Sequence, residues 1–83
     1  MNITGGTFTQ ENVLGYVLAL RAAATTVTIN GAAVEMYGNV RFESNDNVLN
    51  LTAGKLEGTL VFENDVAATV NKSNSFLLIE QDS

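Results

Sequence analysis

The chain has 83 residues and a net charge of −5, from nine acidic and four basic side chains. One small domain, residues 1–83, fits this length, and such a domain buries only about 60–65% of the surface of its unfolded chain. Because the sequence lacks Cys and His, disulfides, thiolate metal sites and His-based triads are excluded. Self-association remains the usual way to stabilise so small a core.

Composition also bears on partners and chemistry. The basic side chains are scattered, so neither nucleic-acid binding nor docking on an anionic membrane is expected. The N-terminal segment does not resemble a signal peptide, and the apolar run at residues 13–24 is shorter than the ~20 residues of a membrane span. These features predict a soluble protein of the cytoplasm or of a virion. No pattern indicates a catalytic site, a cofactor or a metal centre, so the chain is expected not to be an enzyme.

The first predicted elements are a lead-in and a helix. Residues 1–8 contain Gly5-Gly6 and are expected to be a lead-in. Thr9 is a good N-cap, and Phe8 and Val13 have the spacing of a hydrophobic staple. The sequence therefore predicts a helix over residues 9–24, which the β-branched run from Thr25 ends.

Residues 25–80 have the alternation and turn signals of short strands. Asn30-Gly31 is the strongest short hairpin signal, and Gly38-Asn39 suits a type II′ turn. Residues 81–83 are expected to fray. The predicted fold is α+β and mostly β: one N-terminal helix packed on an antiparallel meander or small barrel of about six to seven short strands.

A repeat architecture is the weaker alternative. Residues 3–7 and 51–56 are similar to coils of a β-solenoid, but no sustained period joins them. The sequence contains no Pro to protect the edges of a sheet, so an uncovered edge would invite pairing with another chain.

The far side of the predicted helix carries small residues where polar ones are usual. Alanine tolerates exposure, but a mid-helix Gly costs about 1 kcal/mol relative to Ala, which favours a covered side. Near a predicted turn, Met36 and Tyr37 could form an outer apolar patch with Val61. The predicted interface comprises Gly15, Leu18, Ala19, Ala22, Ala23, Met36 and Tyr37.

One polar loop offers oxygen ligands at close spacing: Glu43, Asn45, Asp46 and Asn47. The loop lacks the glycine and the terminal Glu of an EF-hand, and Asn and Asp are also the residues of an ordinary turn. A calcium site there would be weak, and the turn is the favoured interpretation.

These observations favour a non-enzymatic module that self-associates and acts in structure or assembly, such as a small phage or viral virion component. One alternative is a small acidic inhibitor that binds a host enzyme or effector. A second alternative is a ligand-binding mini-barrel, which would need a sizeable interior pocket. Self-association would give a fixed multiple of the protomer mass and a melting temperature that falls on dilution.

Overall fold

The computed structural model describes residues 1–9 and 16–80. Nine strands and one 3₁₀ turn, Glu63–Asp65, make up its regular structure. The strands are β1 Asn2–Ile3, β2 Thr7–Thr9, β3 Tyr16–Leu20, β4 Thr26–Tyr37, β5 Asn39–Phe42, β6 Asn47–Gly58, β7 Leu60–Phe62, β8 Ala68–Lys72 and β9 Phe76–Glu80.

All strand pairs in the described residues are parallel. The prediction of an α+β fold with an antiparallel meander or small barrel is therefore wrong. The chain winds as a β-solenoid, in which each coil lies on the preceding one. Thr26 lies beside Val48, and Val48 lies beside Thr69, so one coil takes about 21–22 residues.

The coils build three strips of parallel strands. The first strip contains β1, residues 26–30 of β4, residues 47–51 of β6, and β8. The second contains β2, residues 35–37 of β4, residues 54–58 of β6, and β9. The third contains β3, β5 and β7. Register breaks in the β4–β6 pair after Ile29 and Asn30 mark the change from the first strip to the second.

The core lies between the three strips, because alternate residues of each strand turn inward. Its buried apolar residues come from all three strips: Ile3, Leu20, Val27, Ile29, Val34, Met36, Val40, Phe42, Leu49, Leu51, Leu56 and Phe76. Hydrophobic residues therefore form columns, in which each side chain packs on its register partner in the next coil. This burial is the main stabilising term of the fold.

The predicted N-terminal helix is replaced by strands at both of its described ends. Thr9 closes β2 and residues 16–20 form β3, while residues 10–15 lie outside the described part. No described helix reaches seven residues. The apolar residues 16–20 satisfy strand alternation as well as a helical stripe, and pairing with β5 decides in favour of the strand.

The predicted hairpin at Asn30-Gly31 is also wrong, because residues 26–37 continue as one strand element. Gly31 instead permits a close approach between two coils. A Cβ on Gly31 would lie 2.1 Å from the carbonyl oxygen of Thr4, so only Gly allows the first two coils to come this near. A short-range turn signal and a tight inter-coil contact thus use the same residue type.

Candidate functional site: the open end of the solenoid

Within residues 1–9 and 16–80, the strands at the two ends of the stack differ from those in its middle, because they pair with a neighbour on one side only. In the fourth coil the described residues provide β8 on the first strip and β9 on the second, but no strand on the third. Among the described residues, β7 is therefore the last strand of the third strip. We call the outer edges of β7, β8 and β9 the open end.

An aromatic column reaches the open end on the third strip. Phe42 and Phe62 are register partners, and their rings stack with centroids 4.7 Å apart and an interplanar angle of 7°. Phe42 is fully buried, whereas 44% of Phe62 is exposed. Phe42 is thus covered from both sides of its column, whereas Phe62 is covered by Phe42 on one side.

Three further columns also end in a residue that is less buried than its register partner. Leu60 follows the buried Val40 on the third strip, Val70 follows the buried Leu49 on the first, and Leu78 follows the buried Leu56 on the second. Each of these end residues is only partly buried, although each packs against the core. The open end consequently presents a cross-section of the hydrophobic core to solvent.

On the first strip, some columns end in polar residues instead of apolar ones. The buried column of Ile29 and Leu51 ends in the exposed Lys72. Beside it, Asn71 Nδ2 donates a hydrogen bond of 2.9 Å to Asn50 Oδ1, and Asn50 Nδ2 donates one of 3.3 Å to Thr28 Oγ1. Terminal coils of solenoids usually carry such polar outer faces. The uncovered apolar surface is thus concentrated on the second and third strips.

A shallow groove of about 340 Å³ lies along the hydrogen-bonded side chains of Thr28, Asn50 and Asn71. Its lining contains hydroxyl and amide groups, one ammonium group and no carboxylate: Thr28, Asn50, Leu51, Thr52, Asn71, Lys72 and Ser73. Such groups can donate and accept hydrogen bonds.

Charged side chains fasten neighbouring coils on the outer surface. Arg41 forms an ion pair with Glu63 of the next coil, and its Nη1 donates a hydrogen bond of 2.6 Å to the Tyr16 hydroxyl of the preceding coil. The Arg41 guanidinium also lies 4.9 Å from the centroid of the Tyr16 ring, within the range of a cation–π contact. One side chain therefore links three coils.

A second cluster lies on the outside of the second strip. The Lys55 ammonium is 5.2 Å from the Tyr37 ring centroid and 3.7 Å from Glu57 Oε2. Charge on the Tyr37 oxygen is the largest influence that raises the pKa of Lys55 above its ordinary 10.5, followed by the Tyr37 hydrogen bond and then the Glu57 and Glu35 carboxylates; desolvation opposes them. The arrangement favours a charged Lys55 and gives no sign of a proton-transfer role.

The structure places the described residues of the predicted interface at different depths. Met36 is buried in the core with 1% of its surface exposed, whereas Ala22 and Ala23 are exposed in the turn after β3. Leu18 and Ala19 are half-buried in β3, Tyr37 is half-buried beside Lys55, and Gly15 lies outside the described residues. The predicted patch of Met36 and Tyr37 therefore has only one member near the surface.

The four residues of the weak calcium proposal lie at a corner between coils. Glu43 Oε2 pairs with Arg21, and Asn45 Oδ1 accepts a hydrogen bond of 2.9 Å from the Ala67 N–H. Asn47 is buried and its Oδ1 accepts a hydrogen bond from the backbone of Thr25, while Asp46 has a left-handed φ of 66°. Within residues 1–9 and 16–80, no group of three or more acidic side chains is placed to hold a metal ion.

The sequence analysis missed the open end, although a signal for it exists. Residues 38–43 and 58–63 share the pattern Gly, Asn or Thr, Val or Leu, any residue, Phe, Glu, at a separation of 20 residues. We call this the corner pattern. It places Phe42 and Phe62 in one column. The remaining coil segments differ in sequence and spacing, which hid the period.

Comparisons with known proteins add no family. No protein-family model matches the chain, and no curated protein or solved structure is significantly similar to it. In the described part of the chain, no helix is both long and apolar enough to cross a bilayer.

Proposed function

We propose that the chain is a non-enzymatic assembly module that associates with another polypeptide through the open end, a second copy being the first partner to test. The exposure of Phe62, beside the full burial of its register partner Phe42, carries this proposal. Burying apolar surface contributes about 25 cal/mol per Å², so covering the exposed ring and its neighbours would stabilise a complex.

The edge strands support the same interpretation. Parallel strands with one free edge present rows of N–H and C=O groups that another chain can pair with. Leu77 and Ile79 on β9 add exposed apolar surface at this end, with 54% and 37% exposure. The small size of the domain gives association a further benefit, since its own core is limited.

Light scattering and sedimentation over a wide concentration range test the proposal. We expect a fixed multiple of the protomer mass at high concentration, dissociation on dilution, and a melting temperature that rises with concentration. A mass of one protomer at every concentration would contradict self-association.

A matched pair of variants locates the interface. Phe62→Lys places a charge at the open end, whereas Val61→Lys places the same charge on the neighbouring residue, which points to the opposite side of β7. We expect Phe62→Lys to give a protomer and Val61→Lys to keep the wild-type mass. Equal effects of the two variants would show that the open end is not the interface.

A further inference from the structure

The outer face of the first strip differs in chemistry from its neighbour. The outer face of the second strip carries Glu35, Lys55 and Glu57. On the first strip, two outward columns run across β4, β6 and β8, and neither contains a charged side chain: Thr26, Val48 and Thr69 form one, and Thr28, Asn50 and Asn71 form the other. A polar but uncharged face is therefore a property of this strip.

The groove of about 340 Å³ described above lies on this face, and we call it the polar groove. Its lining comes from three successive coils: Thr28, then residues 50–52, then residues 71–73. Sites that hold small molecules have volumes from about 300 Å³ upward. Since adjacent strands lie about 4.8 Å apart, the groove extends about 10 Å across the three coils, which suits a short oligomer better than a single ion.

The hydrogen bonds along the polar groove leave defined groups for a ligand. Asn71 Nδ2 donates to Asn50 Oδ1 over 2.9 Å, and Asn50 Nδ2 donates to Thr28 Oγ1 over 3.3 Å. Each bond uses one of the two hydrogens of an amide, so both amides keep a second donor and at least one acceptor lone pair, and Thr28 keeps its hydroxyl hydrogen. Donors and acceptors thus occur together in every coil. Sugar hydroxyls, which both donate and accept, match this pattern.

The same network orders the polar groove before a ligand arrives. The amides of Asn50 and Asn71 are oriented by their mutual bond. Ser73 ties the next corner to the third coil, because its N–H donates to the Leu51 carbonyl over 2.9 Å and its Oγ donates to the Thr52 carbonyl. Groups that are already oriented lose less conformational entropy on binding, which favours affinity for a weakly held ligand such as a sugar.

Lys72 determines which charge the ligand carries. Its Nζ donates to the Ser73 carbonyl over 3.3 Å, and its side chain lines the polar groove. The ammonium has three hydrogens, so two remain for a ligand. The lining contains no carboxylate that would repel an anion. Because exposed ion pairs are weak, this charge adds a preference for an acidic ligand, while the amides and hydroxyls supply most of the contacts.

We propose that the polar groove binds a short oligosaccharide that contains a uronate sugar. The amides of Asn50 and Asn71 and the Thr28 hydroxyl bind sugar hydroxyls, and Lys72 binds the carboxylate. This site goes beyond the assembly function, because its side chains project from the outer face of the first strip, whereas the proposed interface centres on Phe62 of the third.

The test is an NMR titration of the isotope-labelled protein with tetramers of galacturonate, mannuronate and glucuronate, each beside its uncharged methyl ester. We expect saturable shifts of the Asn50 and Asn71 side-chain amides and of the Thr52 backbone, with a dissociation constant of about 1 mM or lower for at least one uronate. Its methyl ester should bind about threefold more weakly, because it lacks the charge that Lys72 contacts.

A matched pair of variants assigns the charge. Lys72→Gln should abolish the preference for the uronate over its ester, whereas Lys55→Gln, which changes the net charge equally on another strip, should keep it. Asn71→Ala should weaken binding of both forms by about fivefold or more. Circular dichroism verifies that each variant folds.

Three results would overturn the inference: no saturable shift with any tetramer, shifts centred away from the first strip, or equal affinity for every uronate and its ester. Phe62→Lys should leave sugar binding unchanged, so failure of the assembly function and failure of this site are separable.

Discussion

A Cβ atom on Gly58 would lie 1.9 Å from the carbonyl oxygen of Gly38, one coil earlier. Gly58 is the last residue of β6 and Gly38 lies between β4 and β5, so both residues occupy the corner between the second and third strips, where the two backbones come close. Position 58 requires glycine because the two backbones leave no room for a Cβ atom. The exposed N-terminal segment, in contrast, has room for one. Gly5, for example, has no heavy atom within 4 Å of the place where its Cβ would be.

We therefore expect Gly58→Ala to destabilise the protein by about 2–3 kcal/mol, since the corner must open to admit the methyl group. Gly5→Ala should change the free energy of unfolding by no more than about 0.5 kcal/mol, or raise it slightly through the unfolded state. Urea unfolding monitored by circular dichroism measures both. Similar values for the two variants would mean that the corner is looser than the structure indicates.

The stacked phenylalanines provide a second prediction. Phe42→Ala removes a fully buried ring and should cost about 3–4 kcal/mol. Phe62→Ala removes a ring that is 44% exposed and should cost about 1–2 kcal/mol in dilute solution. Unfolding at low and high protein concentration checks these values, and the cost of Phe62→Ala should increase with concentration if a partner copy covers the ring.

Asn47 is the one buried polar residue in the described part of the chain, and its amide joins three backbone groups. Its Oδ1 accepts from the Thr25 N–H at 2.8 Å, and its Nδ2 donates to the carbonyls of Leu20 and Ser44. Asn47→Ala should cost about 2–4 kcal/mol, because these backbone partners would lose their hydrogen bonds in a partly buried corner. The exposed Asn71 is the control, and Asn71→Ala should cost less than about 1 kcal/mol by the same thermal or urea assay.

The Lys55 cluster predicts a dependence on alkaline pH. Its pKa in the folded chain is raised above 10.5, chiefly by Tyr37, so the folded state holds the proton more tightly than the unfolded state does. The resulting stability is fully present below about pH 10.5 and is lost as the pH rises through the folded-state pKa. We expect a steeper fall of the melting temperature in wild type than in Lys55→Gln between about pH 9 and about pH 12. Parallel curves for the two proteins would contradict a coupled Lys55.

Several features were determined by the sequence alone. The absence of Cys and His excluded disulfides and His-based sites, and the β-branched and apolar alternation after Thr25 indicated strands. Leu56 is buried and Lys55 lies outward, as the alternation of residues 55–63 predicts at that end of the segment. Local patterns of this kind report which face of a strand is apolar, because side chains alternate along it whatever its partner is.

Only the tertiary structure decided which strands pair and in which direction. The same alternation is compatible with a hairpin partner a few residues away and with a coil about 21 residues away. The Asn30-Gly31 dipeptide indicated a hairpin partner, whereas the close approach of Gly31 to the backbone of Thr4 shows that the strand stacks on another coil. The apolar residues 16–20 were likewise ambiguous between helix and strand, and long-range pairing with β5 decided between them. The open end has the same origin: Phe42 and Phe62 stand in equivalent local sequence, but within the described residues only the strand of Phe42 has a neighbour on both sides, and only Phe42 is fully buried.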